Sequence, residues 1–594
     1  MREAGPRVSR VGEYAGFSAP THDGWARTSQ YVRVRDGTRL AVDVFIPTRG
    51  GVGESKPLPL AWTPKRYLRA TVDAGAYVPS FESVPTQGPV ARTLLSHGYV
   101  VAYADMRGTG ASFGLRSECS DPIDALDGYD INEWLAAQTF CDGRVGMFGV
   151  SYEGRMQLDT ASAAPPHLRA IVPEVSPFDW YHMVWQGGIN RFEGSGTRFR
   201  ATDLRQDIAP VDEDVEGTLL AEALRIRAGG NDYSAMGDGL PYRDSQQADR
   251  RPWVERSGAA HIAGIARSGI ASYHRVGWFA NVRLEQLLWF TNLARSESGS
   301  RHRLLVGPWP AGGVSPEHCE MWATETLRFL DYWVREIDNG IMDEPAIAYT
   351  TSRSTRERGI EAWHYAATWP LRNSRPQEFL LDYGPSGSIR SLNDGLLEVS
   401  GGPRPGGRDS LRVDYTIGSP QGDGDPRDLE RGIDFTPFEE RCLTYTSGRL
   451  VEDLVVTGHP LLHLFVGCSA TDADVFVTLT DVDEAGISTF VTRHMLRLSH
   501  RRVAEAPYYF CGLPWHRGYE EDSAPVHPRE VVEMELDLLP ISYRFQAGHR
   551  FRLSVSGGDF VHATGGAAPP GSVIEVWYSD QRRSRLVLPV VTGP

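Results

Sequence analysis

One segment constrains the fold of this chain more than any other, because it combines a buried strand, a tight turn and a helix start around a single serine. It reads Arg144-Val145-Gly146-Met147-Phe148-Gly149-Val150-Ser151-Tyr152-Glu153-Gly154. The residues flanking the turn are small, so the pattern predicts that Ser151 stands on a sharp strand-to-helix turn with its hydroxyl exposed above a sheet. A serine hydroxyl is a weak nucleophile unless a histidine takes its proton and a carboxylate orients that histidine.

Strand and helix patterns alternate through the first 350 residues. Leu40–Ile46 reads as a strand that follows a hairpin turn at Asp36-Gly37, and Gly98–Asp105 reads as a buried strand after a helix. This alternation predicts a mostly parallel, doubly wound α/β sheet. A stretch rich in Trp, Arg, Asp and Gly interrupts it and indicates an insertion over the carboxyl edge of the sheet, where such folds bind ligands. We assign an N-terminal arm to residues 1–28, the α/β domain to 29–177 and 266–350, and a helical cap to 178–265.

Beyond residue 350 the helical pattern nearly disappears. Short alternating segments separated by Gly, Pro and Asp turns follow one another to the end of the chain. This sequence pattern is typical of an all-β sandwich of the jelly-roll type. We therefore assign residues 351–594 to a second, C-terminal β domain.

Composition excludes several classes of function. The net charge of −15 argues against binding to nucleic acid or anionic membranes. No apolar run is long enough to cross a bilayer, and the N-terminus lacks the apolar core of a secretory signal. The six cysteines include no CxxC pair, so we expect free thiols in a cytoplasmic protein and no metal site. The large β-rich faces are compatible with a homodimer.

Several motifs together resemble the CocE/NonD hydrolases, the family of cocaine esterase and X-prolyl dipeptidyl-peptidase. The resemblance runs from about residue 30 to the end, and the motifs occur in the family's order. They are Asp105-Met106-Arg107-Gly108-Thr109-Gly110, Asp127-Gly128-Tyr129-Asp130, Gly149-Val150-Ser151-Tyr152-Glu153-Gly154, Gly277-Trp278-Phe279, Gly307-Pro308-Trp309 and, in the C-terminal domain, Thr457-Gly458-His459-Pro460. The resemblance implies an α/β-hydrolase domain with an inserted cap, followed by a jelly roll.

The resemblance also implies roles for single residues. Ser151 matches the nucleophile that forms an acyl-enzyme, and the backbone N–H of Tyr152 matches one oxyanion donor. Tyr67 resembles the tyrosine whose hydroxyl supplies the second donor, in a less similar sequence context. The implied substrate is a small acyl compound, and neither a metal nor an organic cofactor is implied.

At two positions this sequence differs from the family pattern. The family has an aspartate after its Gly-Trp-aromatic motif, where this chain has Ala280, and a histidine two residues after Gly-Pro-Trp, where it has Ala311. Loss of the base costs on the order of 10⁶ in turnover. Oxyanion donors and binding can still leave roughly 10³ over the reaction in water. We expect Trp278 and Trp309, which flank the two alanines, to pack in the core or to line the substrate pocket.

Other residues could replace the missing base. His318 follows the strand and turn that carry the family's histidine, His274 precedes Ala280 by six positions, and Glu153 lies on the first helical turn after Ser151. A base must come within hydrogen-bond reach of the hydroxyl.

Three functions are compatible with this sequence. The first is hydrolysis or acyl transfer of an ester, amide or thioester through Ser151 with non-standard activation. The second is a biosynthetic tailoring enzyme whose enlarged pocket steers a cyclisation, elimination or isomerisation without a covalent intermediate. The third is a catalytically inactive pseudo-hydrolase that binds a partner or ligand. The two alanines are equally compatible with a natural loss and with engineered silencing of an esterase.

Overall fold

The structure is a computed structural model of the 594-residue chain. It describes residues 7–83, 88–116, 121–191, 204–229, 239–247, 249–310, 316–354, 360–399, 407–418, 433–528, 530–559 and 566–591.

The elements of the first part form an α/β domain with an N-terminal hairpin and an insertion. The strands are β1 Val8–Arg10, β2 Glu13–Ala15, β3 Gly24–Arg33, β4 Arg39–Arg49, β5 Val52–Gly53, β6 Leu58–Lys65, β7 Ala70–Asp73, β8 Ala76–Pro79, β9 Val100–Asp105, β10 Cys141–Val150, β11 Leu168–Glu174, β12 Trp185–Gln186, β13 Ile189–Asn190, β14 Ala271–Gly277, β15 His302–Gly307, β16 Ile347–Tyr349 and β17 His364–Ala366. The helices are α1 Ser80–Ser83, α2 Gly88–Ser96, α3 Ile123–Ala136, α4 Tyr152–Ser162, α5 Trp180–Val184, α6 Thr218–Ala228, α7 Pro252–Glu255, α8 Gly258–Ser268, α9 Arg283–Ala294 and α10 Pro316–Trp333.

The large sheet has the strand order β17-β16-β15-β14-β11-β10-β6-β9-β4-β3, with β5 paired to β4. From β9 to β16 all neighbours are parallel, and β3, β4 and β17 add antiparallel edges. One face packs against α3, α4 and α9 through residues such as Leu135, Leu158 and Leu287, and the opposite face packs against α2 and α10. The sheet is the predicted doubly wound one, because buried apolar strands need helices on both faces.

The hairpin predicted around Asp36-Gly37 joins β3 and β4, where Gly37 has φ 86°. Within the described residues of the N-terminal arm, β1 and β2 form a hairpin that lies on α10. There the Tyr14 hydroxyl donates to Asp331 at 2.9 Å and the Gly12 N–H to Glu325 at 3.0 Å. The sheet extends beyond residue 350, because β17 adds antiparallel to β16.

The insertion contains α5–α8 and the short pair β12–β13 within its described residues. Helix α8 returns to the sheet, where it packs against α4 and α9.

The C-terminal part is an all-β domain. Its elements are β18 Ser374–Asp382, β19 Gly395–Glu398, β20 Arg408–Arg412, α11 Thr436–Glu439, β21 Leu443–Ser447, β22 Leu454–Gly458, β23 Leu461–Cys468, β24 Asp474–Val482, β25 Ser488–Arg497, β26 Val503–Ala504, β27 Trp515–His516, β28 Val531–Asp537, β29 Ile541–Phe545, β30 Arg550–Ser556, β31 Val573–Ser579, β32 Arg582–Arg583 and β33 Arg585–Val591. Almost every pairing is antiparallel, and the inward residues form one apolar core that includes Leu464, Leu479 and Leu553. Among the described residues, no helix combines the length and apolarity needed to cross a membrane.

Candidate active site

Ser151 occupies a strained turn between β10 and α4, as the sequence predicts. Its backbone has φ 63° and ψ −122°, a conformation that a non-glycine residue holds only at a cost of about 1–3 kcal/mol. The Ser151 N–H donates to the carbonyl of Glu174 at 2.8 Å, which ties the turn to the end of β11. A Cβ at Gly149 would lie 2.7 Å from the Cβ of Glu153, so only glycine fits there. The turn lifts the serine to the carboxyl edge of the sheet.

Tyr67 lies beside the serine. Its hydroxyl is 3.4 Å from the Ser151 Oγ, a long separation for a hydrogen bond. The Tyr67 ring meets the Tyr152 ring edge-on at 6.5 Å, and Tyr67 is 42% exposed. The structure thus brings together the three residues that the sequence assigns to acyl chemistry: the nucleophile, the tyrosine hydroxyl and the first backbone N–H of α4.

A buried polar network holds Tyr152 in place. Its hydroxyl donates to Asp124 at 3.0 Å and accepts from Arg116 at 2.8 Å. Arg116 and Asp124 are themselves ion-paired and fully enclosed. Burial raises the pKa of Asp124 to about 6, although the Arg116 charge works in the opposite direction. This network fixes the ring of Tyr152 and with it the start of helix α4.

The structure describes Ala280, one of the two alanines at the expected triad positions. Ala280 is fully buried just after β14, where its N–H donates to the Gly277 carbonyl at 3.0 Å. Ala311 lies outside the described residues. At position 280 an apolar methyl group occupies a wholly enclosed place, so this part of the site carries no acid.

Trp278 and Trp309 are core residues rather than walls of an open pocket. Both are almost completely buried. The Trp278 indole donates to the Thr350 carbonyl at 2.6 Å, and a Cβ at Gly307 would lie 1.8 Å from the Trp309 ring. The glycine before each tryptophan therefore serves close packing. Of the two alternatives drawn from the sequence, packing describes both indoles.

Two of the three predicted substitute bases have other partners. The ring nitrogens of His274 contact Ser272 and Gln286, each at 2.8 Å, and burial places the pKa of His274 well below its usual range. Glu153 forms a fully buried ion pair with Lys65, at 2.8 Å. Both side chains therefore contribute to the scaffold beneath the turn.

His318, the third predicted substitute, lies in the first turns of α10 and is buried. Its ring centroid is 5.3 Å from that of Trp309.

The structure adds a carboxyl group that the sequence reasoning missed. Glu174 ends β11, pairs in register with Val150, and is 1% exposed. Neither carboxyl oxygen has a hydrogen-bond partner among the described residues, and its one ion pair is to Arg275 at 3.2 Å. Burial raises the pKa of Glu174 to about 7, with Arg275 opposing the effect. A carboxyl with such a pKa is suited to accept a proton near neutrality.

No short motif marks Glu174. The sequence could have indicated Glu174 through its position at the end of the strand that follows the serine helix. The carboxyl ends of neighbouring parallel strands lie at one edge of the sheet, which is also where the serine turn lies.

Comparison with known proteins agrees with this architecture. Residues 36–310 match the X-Pro dipeptidyl-peptidase (S15 family) model, and residues 339–570 match the X-Pro dipeptidyl-peptidase C-terminal non-catalytic domain. A protein of Mycobacterium bovis named "putative serine esterase" is 30% identical, with 96% of each chain covered. Cocaine esterase of a Rhodococcus species is 25% identical over 89% of this chain and 90% of its own.

Solved structures show the same fold. A CocE/NonD family hydrolase from Staphylococcus aureus superposes with a TM-score of 0.70 at 19% identity, covering 96% of this chain and 94% of its own. An α-amino acid ester hydrolase superposes with a TM-score of 0.68 at 18% identity over 99% of both chains.

Proposed function

We propose that this chain, which belongs to the CocE/NonD family of serine hydrolases, cleaves or transfers the acyl group of an ester, amide or thioester through Ser151, with Glu174 in place of the usual histidine base. The observation that carries the proposal is the pairing of a strained, half-buried serine turn with a buried carboxyl group on the adjacent strand end. The Tyr67 hydroxyl at 3.4 Å from the Ser151 Oγ supplies a donor next to the reacting centre.

The chemistry has two half-reactions. The Ser151 oxygen attacks the acyl carbon while its proton passes, directly or through one water, to the Glu174 carboxylate. Tyr67 and the Tyr152 N–H donate to the developing oxyanion. When the intermediate collapses, the bond to the leaving group breaks and the leaving group takes the proton from Glu174. Water or a second nucleophile then releases the acyl group from Ser151 by the same steps.

A carboxylate is a weaker base than a triad imidazole, so we expect slow turnover. Removing an entire triad leaves roughly 10³ over water in a typical serine hydrolase, and a general base adds about 10²–10⁴. The expected activity therefore lies between that residual rate and the rate of an intact triad.

Covalent labelling tests the proposal. The wild type and the variants Ser151→Ala and Glu174→Gln are incubated with a fluorophosphonate, and the added mass is located by peptide mapping. We expect wild-type labelling at Ser151, none in Ser151→Ala, and at least tenfold slower labelling in Glu174→Gln. Glu439→Gln is the matched control, because Glu439 is a buried, arginine-paired glutamate of the C-terminal domain.

Two results would contradict the proposal. Equal labelling rates in Glu174→Gln and the wild type would remove Glu174 as the base. If only the double variant Ala280→Asp/Ala311→His labels, the natural chain has given up the covalent serine step altogether.

A further inference from the structure

A narrow cavity of about 20 Å³ lies where the α/β domain, the inserted segment and the C-terminal domain meet. It is separate from the serine turn, because neither Ser151 nor Tyr67 contributes to its wall. Its wall carries four imidazoles and two carboxylates that matter here: His182, His494, His500, His516, Glu285 and Asp537. We call it the junction cavity.

Several polar atoms of the junction cavity have no protein partner. Among the described residues, both ring nitrogens of His494, the Nε2 of His500 and the Oδ2 of Asp537 have no hydrogen-bond partner. These residues are 4%, 8% and 2% exposed. Each buried polar group left unsatisfied costs about 1–3 kcal/mol. Unsatisfied polar atoms on residues that line one cavity indicate that something other than protein fills the space they face.

His182 is oriented as metal-binding histidines are. Its Nδ1 contacts the Glu285 Oε1 at 2.7 Å, and the other oxygen of Glu285 accepts the backbone N–H groups of Phe178 and Asp179 at 2.9 and 2.6 Å. A carboxylate that accepts the Nδ1 proton leaves the Nε2 lone pair for a ligand, and this is the usual outer arrangement at metal sites. The His182 and His494 ring centroids are 5.9 Å apart.

The size of the cavity limits its occupant. A volume of about 20 Å³ holds an ion or one or two waters, but no organic molecule. Imidazole nitrogens combined with one carboxylate are the ligand set that Zn²⁺ and similar transition cations prefer.

We propose that the junction cavity binds one divalent cation of the zinc class through His182, His494 and Asp537, with His500 as the nearest further donor. His182 belongs to α5 of the inserted segment, His494 to β25 and Asp537 to β28, so the ion fastens the C-terminal domain to the inserted segment. Its role is structural, because it lies apart from Ser151.

Binding requires a rearrangement of side chains, because the donor atoms of His182, His494 and Asp537 do not all lie within 4.8 Å of one another. Among the described residues, His463, Glu533 and Glu535 form the one group whose three donor atoms lie within 4.8 Å of one another, and that group is partly open to solvent. In the junction cavity, His494 and Asp537 must turn about their side-chain bonds to close on the ion.

The test measures metal content and thermal unfolding on the full chain. Wild-type protein is stripped with a chelator, reloaded with Zn²⁺ or Co²⁺, dialysed and analysed by elemental mass spectrometry. We expect stoichiometric metal, a visible Co²⁺ spectrum typical of low coordination, and a higher midpoint of thermal unfolding after reloading. His494→Gln and Asp537→Asn should abolish all three, and Glu285→Gln should weaken binding by about 10–100-fold.

The exposed group supplies the matched control. His463→Gln/Glu535→Gln removes an imidazole on β23 and a carboxylate on β28, the strand that also carries Asp537, and should leave stoichiometric metal in place. If the control loses the metal instead, the ion belongs to the exposed group and the proposal is wrong. If wild-type protein binds no metal and its unfolding midpoint is unaffected by Zn²⁺ or chelator, the cavity holds only water. The metal content and the unfolding midpoint of the wild type are informative even if a cavity variant fails to fold.

Discussion

Replacing Glu174 by glutamine should slow the serine chemistry and stabilise the fold at the same time. The folded protein raises the pKa of this carboxyl from 4.5 to about 7. At 1.36 kcal/mol per pKa unit, the ionised group therefore costs the folded state roughly 3 kcal/mol relative to the neutral one. Glutamine is close to the same shape and never ionises, so the variant avoids that cost.

The sign of the pH dependence follows from proton binding. Between pH 4.5 and about 7 the folded wild type holds more protons on Glu174 than the unfolded chain does, so its stability falls as pH rises through this window. Glu174→Gln lacks this loss. The two proteins should therefore unfold at similar temperatures near pH 4.5 and separate progressively up to about pH 7.5, with the variant more stable.

Differential scanning fluorimetry of both proteins across this pH range measures the effect. For a domain of 150–250 residues, 1 kcal/mol corresponds to about 2–4 °C, so a full effect of roughly 3 kcal/mol gives a separation of about 6–12 °C. The opposing effect of the Arg275 charge is already contained in the raised pKa of Glu174, so it needs no separate correction. Two melting curves with the same pH dependence would refute the reasoning, because they would mean that Glu174 is not desolvated.

Three further changes test the surroundings of the serine. Tyr67→Phe should lower acyl turnover by a factor of about 10²–10³, which is the cost of losing one oxyanion donor. The melting temperature should not change, because Tyr67 is 42% exposed. An unchanged rate would exclude Tyr67 as a donor. Glu153→Gln should destabilise the chain by about 3–5 kcal/mol, because it breaks a fully buried ion pair by removing the carboxylate that contacts Lys65. Urea unfolding measures this, and the double variant Lys65→Met/Glu153→Leu should recover most of it. Ala280→Asp alone should lower the melting temperature, because it introduces a carboxylate at a fully buried position, and a stability equal to that of the wild type would show that a partner for the acid is still present.

The serine turn and the hairpin before it could be predicted because local physics dictates them. Only glycine fits at position 149, where a Cβ would contact Glu153, and only a tight turn joins β10 to α4. The parallel sheet could be predicted for a similar reason, since apolar strands alternating with helices have few other ways to bury both faces. Family resemblance then added the identity of the fold.

Contacts between distant residues could not be predicted. The Lys65–Glu153 pair joins positions 88 residues apart, and nothing in either local sequence indicates the other. The same holds for the N-terminal arm, because the Tyr14 hydroxyl donates a hydrogen bond to Asp331, which is 317 positions away in the sequence. The carboxyl of Glu174 was missed because its importance comes from burial, which a polar residue at a strand end does not reveal.

The surroundings of Ser151 also bear on whether the serine still acts. A strained serine backbone, a buried Lys65–Glu153 pair and a desolvated Glu174 each cost free energy that apolar residues at these positions would not. A fold that only binds a partner needs none of them, whereas a site that moves a proton and stabilises an oxyanion needs groups of this kind held out of water. Position 280 differs, because a fully buried methyl group lies there and carries no such cost. The polar groups that remain therefore surround the nucleophile itself, and this is where the search for its base should begin.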